Sequence, residues 1–184
     1  MKIGLIGTPG AGKDDVVAHV LQTQGFVRFA FADQIKKCYY ADIGITDEHF
    51  KSCRGTPEEE KIRKGLWEFS DKMRIEQGPY FFIDPVIEEI SKHTNTVITD
   101  IRTPDELTRI LSPDTKIIII MRDYDPTEIE FYHECFPETR IPNRWIYSYL
   151  QEFKDVFFEF NNDFDTVEEA REGFKVFYQQ IGGI

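Results

Sequence analysis

The chain has 184 residues, 41% of them hydrophobic and 14% aromatic, enough for one domain with a buried core. A formal net charge of −11 excludes a general nucleic-acid-binding surface, which needs a basic face, but leaves small phosphorylated ligands open to local clusters of cations. Cys38, Cys53 and Cys135 form no C-x-x-C pair and, with the four histidines, no zinc spacing, so a reduced, cytoplasmic setting is expected. The apolar start is too short for a signal peptide, and no apolar run approaches the ~20 residues of a membrane span.

Lys2-Ile3-Gly4-Leu5-Ile6 reads as a buried strand. It enters Gly7-Thr8-Pro9-Gly10-Ala11-Gly12-Lys13-Asp14, after which Val16, Val17, Val20 and Leu21 recur at helical spacing. In this strand-turn-helix setting G-x-x-x-x-G-K reads as a phosphate loop. Its glycines let several N–H groups converge, the helix N-terminus adds its dipole, and Lys13 adds a full charge for the outer phosphates. Gly7 to Asp14, with Asp15, are therefore the candidate nucleotide-binding residues. The position after the lysine, usually Ser or Thr, is Asp14. A carboxylate there can hold Mg²⁺ directly or through water, or simply favour the helix dipole.

The first helix is expected over about Lys13–Gln22 and a second strand over Phe26–Phe31. Asp33 then falls at a strand-to-helix junction, where it can cap the helix or face a ligand at the carboxyl edge of the sheet. Residues 42–60 read as a loop. Helices are expected over Glu58–Arg74, with Ile62, Leu66, Phe69 and Met73 on one face, and over about 80–92. Thr96–Asp100 reads as a third strand whose terminal carboxylate, Asp100, can complete a Mg²⁺ shell through water. Arg102 is aimed at the same edge and can clamp a phosphate in a bidentate way or pair with nearby acids.

Lys116–Met121 is the clearest strand, a β-branched run that implies burial on both faces. Arg122 ends it. Residues 123–145 are broken by Pro126, Pro137 and Pro142. They read as a lid whose Arg140 and Arg144 can neutralise a transferring phosphoryl group, or as an ordinary loop with surface arginines. Trp145–Phe153 reads as helical, Val156–Phe160 as a fifth strand and Thr166–Ile181 as an amphipathic helix opened by a capping box. Asn161, between the last strand and last helix, is placed near the base of a bound nucleotide. Five strands alternating with helices give an α/β, three-layer P-loop NTPase fold, with a five-stranded, mostly parallel sheet. One domain is expected over 1–184, with a helical acceptor-binding insertion at about 42–92 and the lid at about 123–145.

Taken together, G-x-x-x-x-G-K-D at 7–14, Phe31-Ala32-Asp33-x-x-Lys36, Arg74, Thr99-Asp100-x-Arg102-x-x-x-Glu106 and Phe160-Asn161-Asn162-Asp163 resemble the phage-type deoxynucleoside monophosphate kinases. That family also carries Asp at the position of Asp14 but usually Thr where Asp15 stands, and His133 and Glu134 only loosely echo its lid. Animal-type phosphomevalonate kinases are similar in the G-K-D and D-x-R elements. The resemblance implies ATP- and Mg²⁺-dependent phosphoryl transfer to a phosphate monoester, a (deoxy)nucleoside monophosphate or, on the second likeness, mevalonate phosphate. The charge and hydropathy above lead to the expectation of no nucleic-acid polymer and no membrane as partner. Monomer and homodimer both stay open. Lys13 and the loop would hold ATP, and Asp14 and Asp100 would organise Mg²⁺. Asp33, Lys36, Arg74 and Arg102 would bind the acceptor, while Arg122, Arg140 or Arg144 would close over the transferring group. An acceptor that is already an anion needs no general base. A hydroxyl acceptor, as in dephospho-CoA kinase, would need one, and Asp33 is its candidate. A regulatory nucleotide-binding module that hydrolyses slowly is the rival class.

Overall fold

The computed structural model describes residues 1–8, 10–122 and 154–182. Pro9, the expected lid with Arg140 and Arg144, His133, Glu134 and the expected helix over 145–153 lie outside the described residues. The chain divides into two compact units, Met1–Phe29 with Lys92–Ile184, and Ala30–Ser91.

The first unit carries the sheet. Strands β1 (Lys2–Ile6), β2 (Val27–Phe29), β3 (Thr96–Ile98), β4 (Thr115–Met121) and β5 (Phe157–Asn161) pair in the order β2-β3-β1-β4-β5, every pair parallel. Parallel interior strands are covered on both faces, which is why β1 and β4 read as continuous apolar runs. Period-two alternation then sorts their side chains between the layers. Ile3, Leu5, Ile118 and Ile120 pack with Val16, Val17, Val20, Leu21, Ala170, Phe174 and Tyr178. These last belong to the segment Lys13–Ala18, to helix α1 (His19–Thr23) that continues it, and to the C-terminal helix α7 (Val167–Gln180). A Cβ on Gly4 would lie within 2.8 Å of the Cδ1 atoms of Ile101, Ile110 and Ile117, so this glycine lets helix α6 (Pro104–Ile110) approach the opposite face. The result is a three-layer α/β P-loop fold.

Two capping boxes fix helix starts. Thr103 and Glu106 exchange side-chain and backbone bonds at α6, and Thr166 and Glu169 do so at α7. The expected second strand is shorter than its β-prone composition suggests. It stops at Phe29, Ala30 is the extended N-cap of helix α2 (Phe31–Ile43), and Phe31 is buried as that helix's first residue. Phe26 leaves the strand for the core, meeting Tyr178 edge-on at a centroid distance of 6.4 Å.

The second unit is helical: α2, α3 (Asp47–Ser52), α4 (Pro57–Gln77) and α5 (Ile83–Ile90). It takes in α2, which the sequence leaves outside the 42–92 insertion. Its core gathers Tyr39, Tyr40, Phe50, Cys53 and Ile62. Helix α3 occupies part of the expected 42–60 loop, and its Thr46 side chain accepts the His49 amide at 3.1 Å. Gly65 of α4 is needed for close packing, because a Cβ there would sit 2.0 Å from the Tyr39 hydroxyl.

Candidate nucleotide-binding site

Connections leave β1 toward β2 and leave β4 toward β5, in opposite directions across the sheet. In an open α/β sheet the crevice at the carboxyl ends of such strands is where ligands bind. The glycine-rich turn stands there. Gly7 is packed against β4, where a Cβ would come within 2.8 Å of the Ile120 carbonyl oxygen. Gly10 and Gly12 take left-handed φ angles of 76° and 95°, which L side chains adopt only at a cost. The amides of Val16 and Val17 both donate to the Gly12 carbonyl at 3.1 Å, so the helix opens with a π-helical turn over Lys13–Ala18.

Lys13 is half-buried under this turn and donates to the carbonyls of Gly7 at 2.7 Å and Thr8 at 2.6 Å. Burial, with the Arg102 guanidinium adding to it, lowers the ammonium from 10.5 to about 8, against the opposing pull of Asp14 and Asp100. Two cations of the same site thus repel one another beside a phosphate-type loop. Charge of this kind is relieved by an anion.

Asp100 is buried just past β3, where the Ile101 amide donates to the Leu5 carbonyl at 3.3 Å and keeps the chain against β1. Glu106 lies buried beside it. One carboxylate oxygen of Glu106 accepts the amides of Arg102 at 2.6 Å and Thr103 at 3.0 Å, which fixes the backbone from which Arg102 projects. Burial first, and then the neighbouring Asp100 charge, push the Glu106 carboxyl up to about 7. Asp14 is exposed and engaged by Arg28 at 2.8 Å, and the Asp15 carbonyl accepts Arg171 Nε at 2.9 Å. Arg122, exposed at the end of β4, donates through Nη1 to the Gly10 carbonyl at 3.2 Å.

Asn161 closes β5 with an exposed side chain, and the residue after it reaches the glycine-rich turn. Asn162 is buried, and its Nδ2 donates to the Ala11 carbonyl at 2.8 Å, tying the end of β5 to the phosphate-type turn. Its Oδ1 has no partner among the described residues. Strand alternation carries the signal for it, since two residues on from buried Phe160 the same face continues inward. Arg28, which holds Asp14, has no comparable sequence signal.

The remaining candidate residues belong to the helical unit. Asp33 is in the first turn of α2, not at its cap, with its carboxylate 3.5 Å from Lys36 Nζ. Arg74, in the last turn of α4, lies 3.6 Å from Asp71. As pairs with partly exposed members, both contribute little to stability.

The residues of the sheet unit fit a nucleotide phosphate with its cation. The turn offers left-handed glycines and a half-buried ammonium, and Asp14 and Asp100 offer hard oxygen ligands. Asp14 would have to exchange Arg28 for the cation, a surface pair worth only ~0–1 kcal/mol.

No family model matches the sequence, and no curated protein matches it. Among solved structures the chain is similar to a shikimate kinase from Aquifex aeolicus, at 14% identity over 100% of both chains with a TM-score of 0.44. It is also similar to a shikimate kinase from Bacteroides thetaiotaomicron, at 12% identity over 98% of each chain with a TM-score of 0.45. A sugar kinase from Janibacter sp. HTCC2649 is similar at 12% identity over 98% of this chain and 95% of that one, with a TM-score of 0.40. Likenesses this distant bear on neither substrate nor reaction. The P-loop fold rests on the strand order β2-β3-β1-β4-β5 and on the glycine-rich turn that follows β1.

Proposed function

We propose that the chain is a small-molecule kinase that transfers a phosphoryl group from ATP to a phosphate-monoester acceptor, a (deoxy)nucleoside monophosphate. The observation that carries this is the group at the sheet's carboxyl edge: Lys13 under the left-handed turn, Arg102 close enough to lower it, and buried Asp100 beside both. When bound, Mg²⁺ neutralises the negative charge that builds on the phosphates, and Asp14 and Asp100 would hold it. Lys13 and the loop amides orient the donor. Arg102 and Arg122, with Arg140 and Arg144, offset charge on the transferring group. Lys36 and Arg74, with Asp33, are assigned to the acceptor on the resemblance to deoxynucleoside monophosphate kinases. A reduced, cytoplasmic setting goes with this reading, on the odd number and scattered spacing of Cys38, Cys53 and Cys135. No helix among the described residues is long and apolar enough to cross a membrane.

The test is a coupled phosphorylation screen of common ribo- and deoxynucleoside monophosphates and mevalonate phosphate, with ATP and Mg²⁺, alongside hydroxyl acceptors. A phosphorylated monoester product that disappears in Lys13→Met supports the reading. Hydrolysis of ATP that no acceptor accelerates would sink it and favour a slow regulatory NTPase. A hydroxyl product whose turnover collapses in Asp33→Asn would replace the acceptor class.

A further inference from the structure

The helical unit carries a cluster of side chains of metal-ligand type, distinct in chemistry from Asp14 and Asp100. His49 lies on α3, Cys53 is the residue that caps its end, and Glu58 is in the first turn of α4. Their ligand atoms lie within 4.8 Å of one another. His49 Nε2 is 3.1 Å from Glu58 Oε1 and 3.7 Å from Cys53 Sγ.

As metal ligands the three groups are compatible: a neutral imidazole Nε2, a carboxylate oxygen and a thiolate each offer a lone pair to one ion, with the Cys53 proton leaving as the ion binds. The spacing fits this: with ordinary zinc bond lengths a tetrahedral site has an N–S edge of about 3.6 Å and an N–O edge of about 3.3 Å.

The backbone that presents the trio is held in place. The Thr56 amide and hydroxyl both donate to the Cys53 carbonyl, at 3.0 Å and 2.6 Å. The Gly55 amide donates to Glu59 at 2.7 Å, and the Cys53 amide returns to the His49 carbonyl at 3.2 Å. The α3–α4 connection is therefore a short, bonded corner, and little ordering remains to be done when an ion arrives. Cys53 is buried, while His49 and Glu58 are exposed, so the ligands line one open side.

We propose that His49, Cys53 and Glu58 bind one Zn²⁺-class divalent ion, with the fourth position open to water. Thiolate and imidazole favour a borderline-soft ion over Mg²⁺, so this site and the proposed phosphate-linked Mg²⁺ select different metals. The reading is independent of the kinase assignment.

Chelator-treated full-length protein is titrated with Zn²⁺ against a chromophoric competitor, and with Co²⁺ as the spectroscopic probe. One equivalent should bind, and Co²⁺ should give a thiolate charge-transfer band with tetrahedral d–d bands. Outer-shell partners alone change metal affinity 10–100-fold, so His49→Gln should weaken Zn²⁺ by at least about 10-fold and remove the tetrahedral spectrum. Cys53→Ala should abolish the charge-transfer band. His49 is exposed, so His49→Gln keeps the fold and decides the matter even if loss of buried Cys53 does not. Absence of one-equivalent binding, a Co²⁺ spectrum without a thiolate band, or an affinity unchanged in His49→Gln would each overturn the site.

Discussion

Alanine at position 12 carries two separable costs. The first is conformational. Gly12 has φ of 95°, a left-handed angle that costs an L residue ~1–2 kcal/mol. The second is steric. The new Cβ would stand 2.5 Å from Asn162 Nδ2, too close for both to stay, with Val16 at 3.1 Å behind it. Moving Asn162 breaks its 2.8 Å bond to the Ala11 carbonyl in a buried place, worth ~1–2 kcal/mol. Gly12→Ala should therefore destabilise the protein by about 2–4 kcal/mol, read as a lower urea midpoint at unchanged m-value. In an Asn162→Ala background the second cost is already gone, so the same substitution should cost only ~1–2 kcal/mol, a coupling of about 1–2 kcal/mol. Equal costs in the two backgrounds would refute the contact between loop and β5, and a cost near zero in both would refute the left-handed turn as well.

Glu106 makes stability pH-dependent. The unfolded chain ionises near 4.5 while the folded carboxyl holds its proton to about 7, so the folded state loses stability as pH rises between those values. At ~1.36 kcal/mol per pH unit the loss reaches about 3 kcal/mol. Glu106→Gln keeps an oxygen for the two backbone amides, so it should exceed the parent by up to that amount near pH 8 and match it near pH 4.5 in urea titrations. An advantage that does not change with pH would contradict this. Lys13 loses its charge through about 8. Affinity for a fluorescent ATP analogue should then fall above about pH 8, and Lys13→Met should weaken it by roughly 10–100-fold; a flat profile over pH 6–9 would remove Lys13 from the phosphates. Gly65→Ala should lower the melting temperature, because the Cβ meets the Tyr39 hydroxyl, and Tyr39→Phe should recover most of the loss. No recovery in the double variant would place the strain elsewhere.

The parts of the chain that were legible in sequence are those where one physical rule dominates. The apolar run of β4, the glycine-lysine turn and the Thr166–Glu169 capping box each follow from a single local pattern. Where two rules compete, sequence misled. Phe26–Phe31 has the composition of a strand, but Phe26 and Phe31 are buried as core and helix residues at its two ends. Helix α3 has six residues, too few for a periodicity to show, so no pattern in the sequence announces the approach of His49 to Cys53. The bond from Asn162 to the turn follows from strand alternation past Phe160 and has no motif of its own. The Arg28–Asp14 pair joins a strand to a helical turn 14 residues earlier, and no local pattern encodes it.

The strand order also sets a timetable. Lys2 of β1 pairs with Thr96 and Thr115, partners that lie 94 and 113 positions later by subtraction. At roughly 5–20 residues per second of synthesis, the middle strand waits on the order of ten seconds for its second neighbour to be made. All four helices of Ala30–Ser91 have been synthesised by then. High separation of paired strands makes this sheet a slow-folding element, since loop closure precedes any reward from pairing. A nascent chain stalled before Thr115 presents Ile3, Leu5 and Ile6 with one flank unpaired. Exposed apolar strands at that stage are the kind of surface that aggregates.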